Sequence, residues 1–471
     1  MKTTTLDGGS VEILTEMLDN LKMRLRGQVI FAGGPGYDES RTVWNAMIDK
    51  KPSIVVRCLG SADVIECVKF AKEYSLLLSI KGGGHNIAGL ATTDGGMMLD
   101  MSLMRGIWVD SKEKIAYAQA GCLLGDLDRE TQLTGLAPVL GFISTTGIAG
   151  LTLGGGFGYL TRRWGWTSDN IASMNLVTAE GRLVRASNDE NEDLFWGLRG
   201  GGGNFGIVTS IDYLLYPVGP EIIGGMVVWP ISEAPGVFEL YRNLAGNAPY
   251  ELSLGMIIRR APGVPWLPKE VHGQLIVAIL ACYSGNPEEG VKVVAPIKSF
   301  GRSIGDIMTR RPYLQMQSLL DSTQPKSRRN YWKSEYLSGI ESALGEKLIT
   351  HAAKITSPHS SMILFQIEGA LNNMEDGFSA TGNRNAQYIL TQAGSWEKEE
   401  DDNLNIEWAR EAWNDMKSFS TGGNYINFQT EDEGSERMEA ALGKGLQRLV
   451  SIKAKWDPGN MFRSNRNIKP D

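Results

Sequence analysis

The sequence predicts an α+β protein of more than one domain, and three observations carry that expectation. From Pro52 to about residue 216, short apolar strand candidates alternate with segments of helical periodicity. After Tyr216-Pro217 the strand candidates become longer, with helical segments between them. The chain of 471 residues also exceeds what one ordinary core encloses.

Taken in order, residues 10–26 read as a short amphipathic helix at the surface. Residues 54–58 are a β-branched strand candidate, and Ser61 then caps a helix in which Val64, Cys67, Val68 and Ala71 recur at helical spacing. Residues 76–80 are a further apolar stretch, and 97–99, 107–109, 115–118 and 174–177 are strand candidates. Beyond residue 217, strands are expected at 221–230, 251–259, 274–283, 360–369 and 387–394, with helices at 287–299 and 403–417. This second set describes a separate antiparallel sheet with helices on one face. The charge run 397–402 is a solvated turn before a helix.

Composition narrows the function. Hydrophobic content of 42% and charged content of 21% are globular values. A net charge of −7 argues against nucleic acid or an anionic membrane surface as partner. The four cysteines show no C-x-x-C or zinc spacing, which suits a reducing, cytoplasmic setting without disulfides. The four histidines are scattered, so no protein metal site is expected. No apolar run approaches 18 residues, and Asp7, Glu12, Glu16 and Asp19 interrupt the N-terminus, so neither a membrane span nor a signal peptide is expected.

The most informative segment is Lys81-Gly82-Gly83-Gly84-His85-Asn86-Ile87-Ala88-Gly89. Consecutive glycines let a backbone turn tightly and approach a ligand, and their N–H groups can form a nest for an anion. On its own the loop reads equally as a polar turn. A second cluster runs from Thr146 to Leu160 and a third from Leu198 to Thr209. Three glycine loops beside apolar segments point to one long anionic cofactor held mainly by backbone. None matches the G-x-G-x-x-G dinucleotide fingerprint or the P-loop.

These loops, with other elements in order, resemble the berberine bridge enzyme-like flavoproteins of the vanillyl-alcohol oxidase superfamily. The matching pieces are Gly36-Tyr37-Asp38, Arg41, Trp44-Asn45, Pro52 to Val55, Asp63-Val64, the His85 loop, Val109-Asp110, Ala120-Gly121 and Gly125-Asp126. They continue through Gly147 to Gly158, Asp169-Asn170, Asp193 to Trp196, Tyr425-Ile426-Asn427-Phe428, Asp457 to Arg463, and Asn467-Ile468. The early part is most similar to the microbial 6-hydroxy-D-nicotine oxidase branch.

The resemblance implies a PCMH-type FAD-binding domain of two α+β subdomains at residues 48–218. It also implies a helical N-terminal segment packed on that domain at 1–47, a substrate domain at 219–420 and a returning C-terminal segment at 421–471. It implies FAD linked covalently through the 8α-methyl carbon to His85. Many relatives add a second link through a cysteine; here that position is Ile143, so single attachment is expected. Further cofactor contacts implied are Gly82, Gly83, Gly84, Asn86, Gly89, Thr146, Gly147, Gly150, Leu151, Gly154, Gly155, Asp169, Asn170, Gly206, Ile207, Val208 and Asn427, with Lys81 facing phosphate or solvent.

The activity implied is flavin-dependent oxidation of a small amine, alcohol, sugar or secondary metabolite, with electrons passing to O2 or another acceptor. The alternative is a flavoprotein that catalyses a non-redox cyclisation or isomerisation. Alcohol- and sugar-oxidising relatives often use as base the last tyrosine of a Tyr-x-Asn-Tyr motif; this chain has Phe428 there. Either another group acts, with Tyr425, Asn427 and Glu368 the catalytic candidates, or the substrate is an amine or phenol-like compound that needs less help. Gln366, Gln387, Tyr388, Tyr331 to Lys333 and Tyr313 are candidate substrate contacts, on strands or aromatic segments that could face a planar ligand.

Overall fold

Three main sheets organise the chain in this computed structural model, which describes residues 1–375 and 377–471. The first has the order Gln28–Phe31, Ile54–Arg57, Met97–Asp100, Leu78–Lys81. Its last three strands are parallel, and helix Ser61–Glu73 makes the crossover between the outer two of them. Ile54–Arg57 and Met97–Asp100 are almost wholly buried, as expected of short apolar runs covered on both faces. The N-terminal 47 residues are less helical than expected. They hold the helix Thr15–Arg24, but they also supply the edge strand Gln28–Phe31, antiparallel to Ile54–Arg57.

The second sheet is fully antiparallel, in the order Leu183–Ser187, Ile171–Val177, Ile207–Leu214, Ile115–Gln119, Ile107–Asp110. Helices Leu124–Gln132 and Glu192–Leu198 lie against it.

The third sheet has eight antiparallel strands. Its main path is Gly305–Asp306, Glu221–Pro230, Leu275–Tyr283, Leu252–Arg260, Ser361–Gln366, Tyr388–Trp396, Arg329–Leu337, and Thr309–Pro312 pairs beside Glu221–Pro230. Helices Ala234–Gly246, Pro287–Ser299, Ser342–Ala352 and Asp402–Met416 cover one face and bury the largest core cluster. The strands expected from sequence are all present. Arg329–Leu337 is an additional one, and Tyr331, Trp332 and Lys333 belong to it.

After this sheet the chain returns to the first half. Helix Leu446–Trp456 packs against Glu192–Leu198. Lys453 is fully buried there, and its ammonium donates to Asp457 Oδ2 (2.6 Å), Asn204 O (2.8 Å) and Phe462 O (3.2 Å). Asp457 in turn accepts from the N–H groups of Met461 and Phe462, both at 2.8 Å. The Asp-Pro-Gly-Asn tail motif is therefore a folding clip: it turns the chain around a satisfied buried ion pair. No helix among the described residues is long and apolar enough to cross a membrane.

Candidate active site

The other face of the eight-stranded sheet carries the short helix Tyr313–Gln317 near Glu221–Pro230 and lacks the four long helices. It floors a cavity of about 440 Å3 that extends under the glycine loops of the first half. Register places the floor residues in lateral rows. One row is Ile276, Arg259, Ser361, Ala393 and Trp332; the next is Val228, Ala278, Ile257, Ile363 and Thr391. All ten line the cavity, and Phe365 and Met226 lie one row further on.

The opposite wall is backbone-rich. Gly82, Gly83, Gly84, His85 and Asn86 meet Thr146, Gly147, Gly150, Leu151 and Gly154 there, with Gly201, Gly202, Gly203, Gly206, Ile207 and Val208 alongside. Gly83 and Gly147 touch so closely that a Cβ on either would collide with the backbone of the other. Gly154 is equally constrained, because a Cβ would run into the Asn427 amide. These glycines let two loops and the C-terminal segment converge without side chains between them.

His85 is half-buried on this wall. Its imidazole stacks on Trp44, ring centroids 4.3 Å apart, and its buried Nε2 has no hydrogen-bond partner. Burial pushes the imidazole down to about 4, so the ring is neutral at physiological pH. A neutral imidazole keeps a lone pair available for bonding to carbon.

Tyr425, Asn427 and Phe428 come from the returning segment and line the cavity. The Tyr425 hydroxyl accepts from the Gly156 N–H at 3.1 Å and from Asn427 Nδ2 at 2.9 Å, while the same amide donates to Leu151 O at 3.1 Å. Burial raises the phenol well above its ordinary value. Phe428 packs edge-on against Trp332, Phe157 and Tyr425. Ile143 and Phe142 line the cavity too, whereas Cys122 is buried in the core of the second sheet.

Several expected site residues lie elsewhere. Gln366, Tyr388 and Tyr331 are on the right strands but the wrong face. Gln366 donates to Ala245 O at 2.8 Å, Tyr388 rests beside Tyr241, and Tyr331 donates to Asp432 and accepts from Arg410 at 2.7 and 2.9 Å. A one-residue shift in a strand exchanges faces, so their neighbours Phe365, Ile389 and Trp332 point the other way. Glu368 and Gln387 bond each other at 3.3 Å outside the cavity, and the Glu368 carbonyl accepts from Arg162 at 2.7 Å. Lys333 pairs with Asp432 and Glu433, and Tyr313 is buried away from the site.

Among the cofactor candidates, Asp169 forms a buried two-pronged pair with Arg384 at 2.6 and 2.7 Å. Asn170 ties Trp164 O, Trp166 O and the Tyr216 hydroxyl together. Gly155 faces Thr381, and Gly89 packs on Ile48. Lys81 faces neither phosphate nor solvent, since its ammonium is buried on Ser40 O beside Asp100. These five hold the scaffold behind the cavity and do not line it. Arg259, Phe142, Phe365 and Ile363 were not singled out by sequence reading. For Arg259, Phe365 and Ile363 the only sequence signal is their position on strands whose facing is not legible, and Phe142 lies in a loop beside Ile143.

Comparison with known proteins agrees with this architecture. An FAD binding domain model matches residues 52–187, and a berberine and berberine-like model matches 424–469. The chain is 29% identical over 462 residues to (R)-6-hydroxynicotine oxidase of Paenarthrobacter nicotinovorans, covering 95% of this chain and 98% of that one. It is 29% identical over 467 residues to an FAD-linked oxidoreductase of Dictyostelium discoideum, covering 98% of each. The crystal structure of 6-hydroxy-D-nicotine oxidase from Arthrobacter nicotinovorans superposes with a TM-score of 0.84 at 26% identity, over 98% of this chain and 100% of that one. Berberine bridge enzyme from Eschscholzia californica shares the fold, with a TM-score of 0.86 at 18% identity over 97% of this chain and 99% of that one. Two family segments that lie far apart in sequence meet around one cavity: the chain is an FAD-linked oxidoreductase with an FAD binding domain and a berberine-like C-terminal segment, similar along nearly its whole length to the berberine bridge enzyme-like proteins.

Proposed function

We propose that this oxidoreductase carries one FAD bonded covalently to His85 and oxidises a small, largely apolar organic substrate, passing the electrons to O2. The observation that carries the reading is the single cavity that joins the glycine wall and His85 to the apolar sheet face. The residues fit the cofactor. The wall offers close-approach glycines and backbone N–H groups for an anion, and the neutral imidazole of His85, its Nε2 without a hydrogen-bond partner, sits at its edge. When bound, the flavin supplies a two-electron acceptor at N5.

The chain's own groups have distinct tasks. Trp44 holds the His85 ring flat. Asn427 and the Gly156 N–H hold the Tyr425 oxygen, so this phenol positions the wall that would hold the cofactor. Phe142, Phe365, Phe428 and Trp332 exclude water from the space above the sheet. Among the described residues the lining contains no Asp or Glu, and Tyr425 is its one phenol, so none of them supplies a carboxylate base. That supports a substrate whose oxidation needs little proton abstraction, and it disfavours sugars. Ile143 and the four buried cysteines support single attachment, and the unpaired thiols support a cytoplasmic location.

The test is direct. Purified protein is precipitated in acid, and the flavin is sought on the peptide containing His85. Separately, the holoenzyme is mixed anaerobically with a panel of amines, phenols, acids, alcohols and sugars while the flavin absorbance is followed. Peroxide is measured when air is readmitted. Flavin released into the acid supernatant overturns the covalent link; oligosaccharides as the fastest reductants overturn the substrate class.

A further inference from the structure

We propose that Arg259 binds a carboxylate on the substrate, so that the protein takes a small apolar acid. The inference deepens the reading of the cavity as the substrate site and rests on it.

Arg259 stands in a floor row, paired across the sheet with Ile276 on one side and Ser361 on the other. Its five N–H donors are poorly used. Nε reaches Arg260 O at 3.2 Å and Nη2 reaches Pro358 O at 3.4 Å. Among the described residues it makes no ion pair. Three other inward arginines, by contrast, have a carboxylate partner: Arg384 with Asp169 at 2.6 Å, Arg329 with Asp402 at 2.5 Å, Arg437 with Glu335 at 2.7 Å. Arg162 is buried without a carboxylate, but four backbone carbonyls accept from it. Arg259 has neither solution.

Its surroundings accentuate the deficit. The cation that acts on it most is Arg328, and Arg328 together with burial lowers the guanidinium from its ordinary value. Glu397, the acid acting on Arg328, is bonded to His359 at 3.0 Å. Among the described residues no Asp or Glu lines the cavity, so an ammonium group entering it would meet a cation and no described counterion. An anion would find a two-pronged donor, with the Ser361 side chain on the next strand and apolar walls beyond. One planar fork matches the two oxygens of a carboxylate. A phosphate would leave oxygens unmet, because the floor beside Arg259 and Ser361 is mostly apolar, with Ile276, Ala278, Ile257, Ile363 and Val228.

Calorimetric titration of the flavin-loaded protein tests this without requiring turnover. Benzoate, phenylacetate and 3-phenylpropionate are compared with their primary amides, and benzoate with phenyl phosphate. At least one acid is expected to bind about 10-fold or more tightly than its amide. Arg259→Met is expected to abolish that preference, and Arg259→Lys to keep part of it, because the ammonium keeps the charge but loses the fork. Equal affinity for acids and amides, no binding of any acid, or an unchanged preference in Arg259→Met would each overturn the proposal. Tighter binding of phenyl phosphate than of benzoate would overturn the assignment to carboxylate. If Arg259→Met does not fold, the acid-against-amide comparison on the wild-type protein still decides. Release of the flavin by acid would sink the covalent reading and leave this one standing.

Discussion

The indole of Trp44 lies flat on the imidazole of His85, with ring centroids 4.3 Å apart and planes 16° from parallel. The indole is itself fixed: its Nε1 donates to Gln324 O at 3.1 Å, and its backbone N–H donates to Gly84 O at 2.9 Å, one residue before the histidine. A side chain from the N-terminal segment thus sets the plane of the ring proposed to carry the flavin.

Substitution separates those roles. His85→Ala is expected to bind FAD and release all of it on denaturation. Trp44→Ala is expected to fold and to carry a mixture of linked and free flavin, since the imidazole loses its stacking partner. Intact-mass spectrometry before and after acid precipitation measures both fractions. Full linkage in Trp44→Ala would show that the stack is dispensable.

Ile143 occupies the cavity wall, and the four cysteines are buried and unpaired. Denatured wild-type protein is therefore expected to carry one FAD and four alkylatable thiols. A protein with three reactive thiols and a flavin-bearing cysteine peptide would refute single attachment.

Removing the Tyr425 hydroxyl strands the Gly156 N–H and an Asn427 donor. Tyr425→Phe is expected to lose about 1–3 kcal/mol of stability in denaturant unfolding. Because that hydroxyl is a positioning group, flavin reduction by the true substrate is expected to slow by less than about 10²-fold. A larger loss, with a changed pH profile, would establish a tyrosine base.

Asp128 accepts from Gln317 Nε2 at 2.8 Å, and its other carboxylate oxygen is buried without a partner. Burial pushes this carboxyl up to about 7 from 3.8. Between those values the folded state holds the proton and the unfolded state releases it. The contribution to stability is therefore fully present below pH 4 and is lost as pH rises through 7. Asp128→Asn is expected to be the more stable protein at pH 8, by up to roughly 4 kcal/mol, and to gain less at pH 5. Urea unfolding at the two pH values checks the widening gap.

Asp169 is a scaffold residue paired with Arg384 behind the cavity. Asp169→Ala leaves a buried guanidinium unpaired and is expected to cost about 3–5 kcal/mol. Flavin attached at His85 should remain on whatever protein folds. Selective loss of flavin at unchanged melting temperature would return Asp169 to the cofactor site.

The strands, the glycine loops and the family segments were legible because each is a local property. Periodicity marks strands and helices. Runs such as Gly82 to Gly84 mark close backbone approach wherever they occur. Phe428 and Ile143 were informative because a single residue type rules out one chemistry at that position. The eight-stranded sheet shows where legibility stopped. Its strands are buried on both faces, by helices on one side and the cavity on the other, so the apolar–polar alternation that would reveal facing is missing. Gln366, Tyr388 and Tyr331 turned to the helices for that reason.

By itself, then, the sequence determined the α+β class, the cofactor-type loops, the histidine beside them and an isoleucine, which offers no thiol, at position 143. Only the tertiary structure decided which strand residues meet the cavity, that Asp169 answers Arg384, and that Arg259 answers no carboxylate among the described residues. Facing and pairing depend on register and on contacts between residues far apart in the chain, such as Asp169 with Arg384, or Arg259 with Ser361. A local pattern carries no record of such contacts, because a shift of one residue along a strand leaves its composition unchanged and reverses its faces.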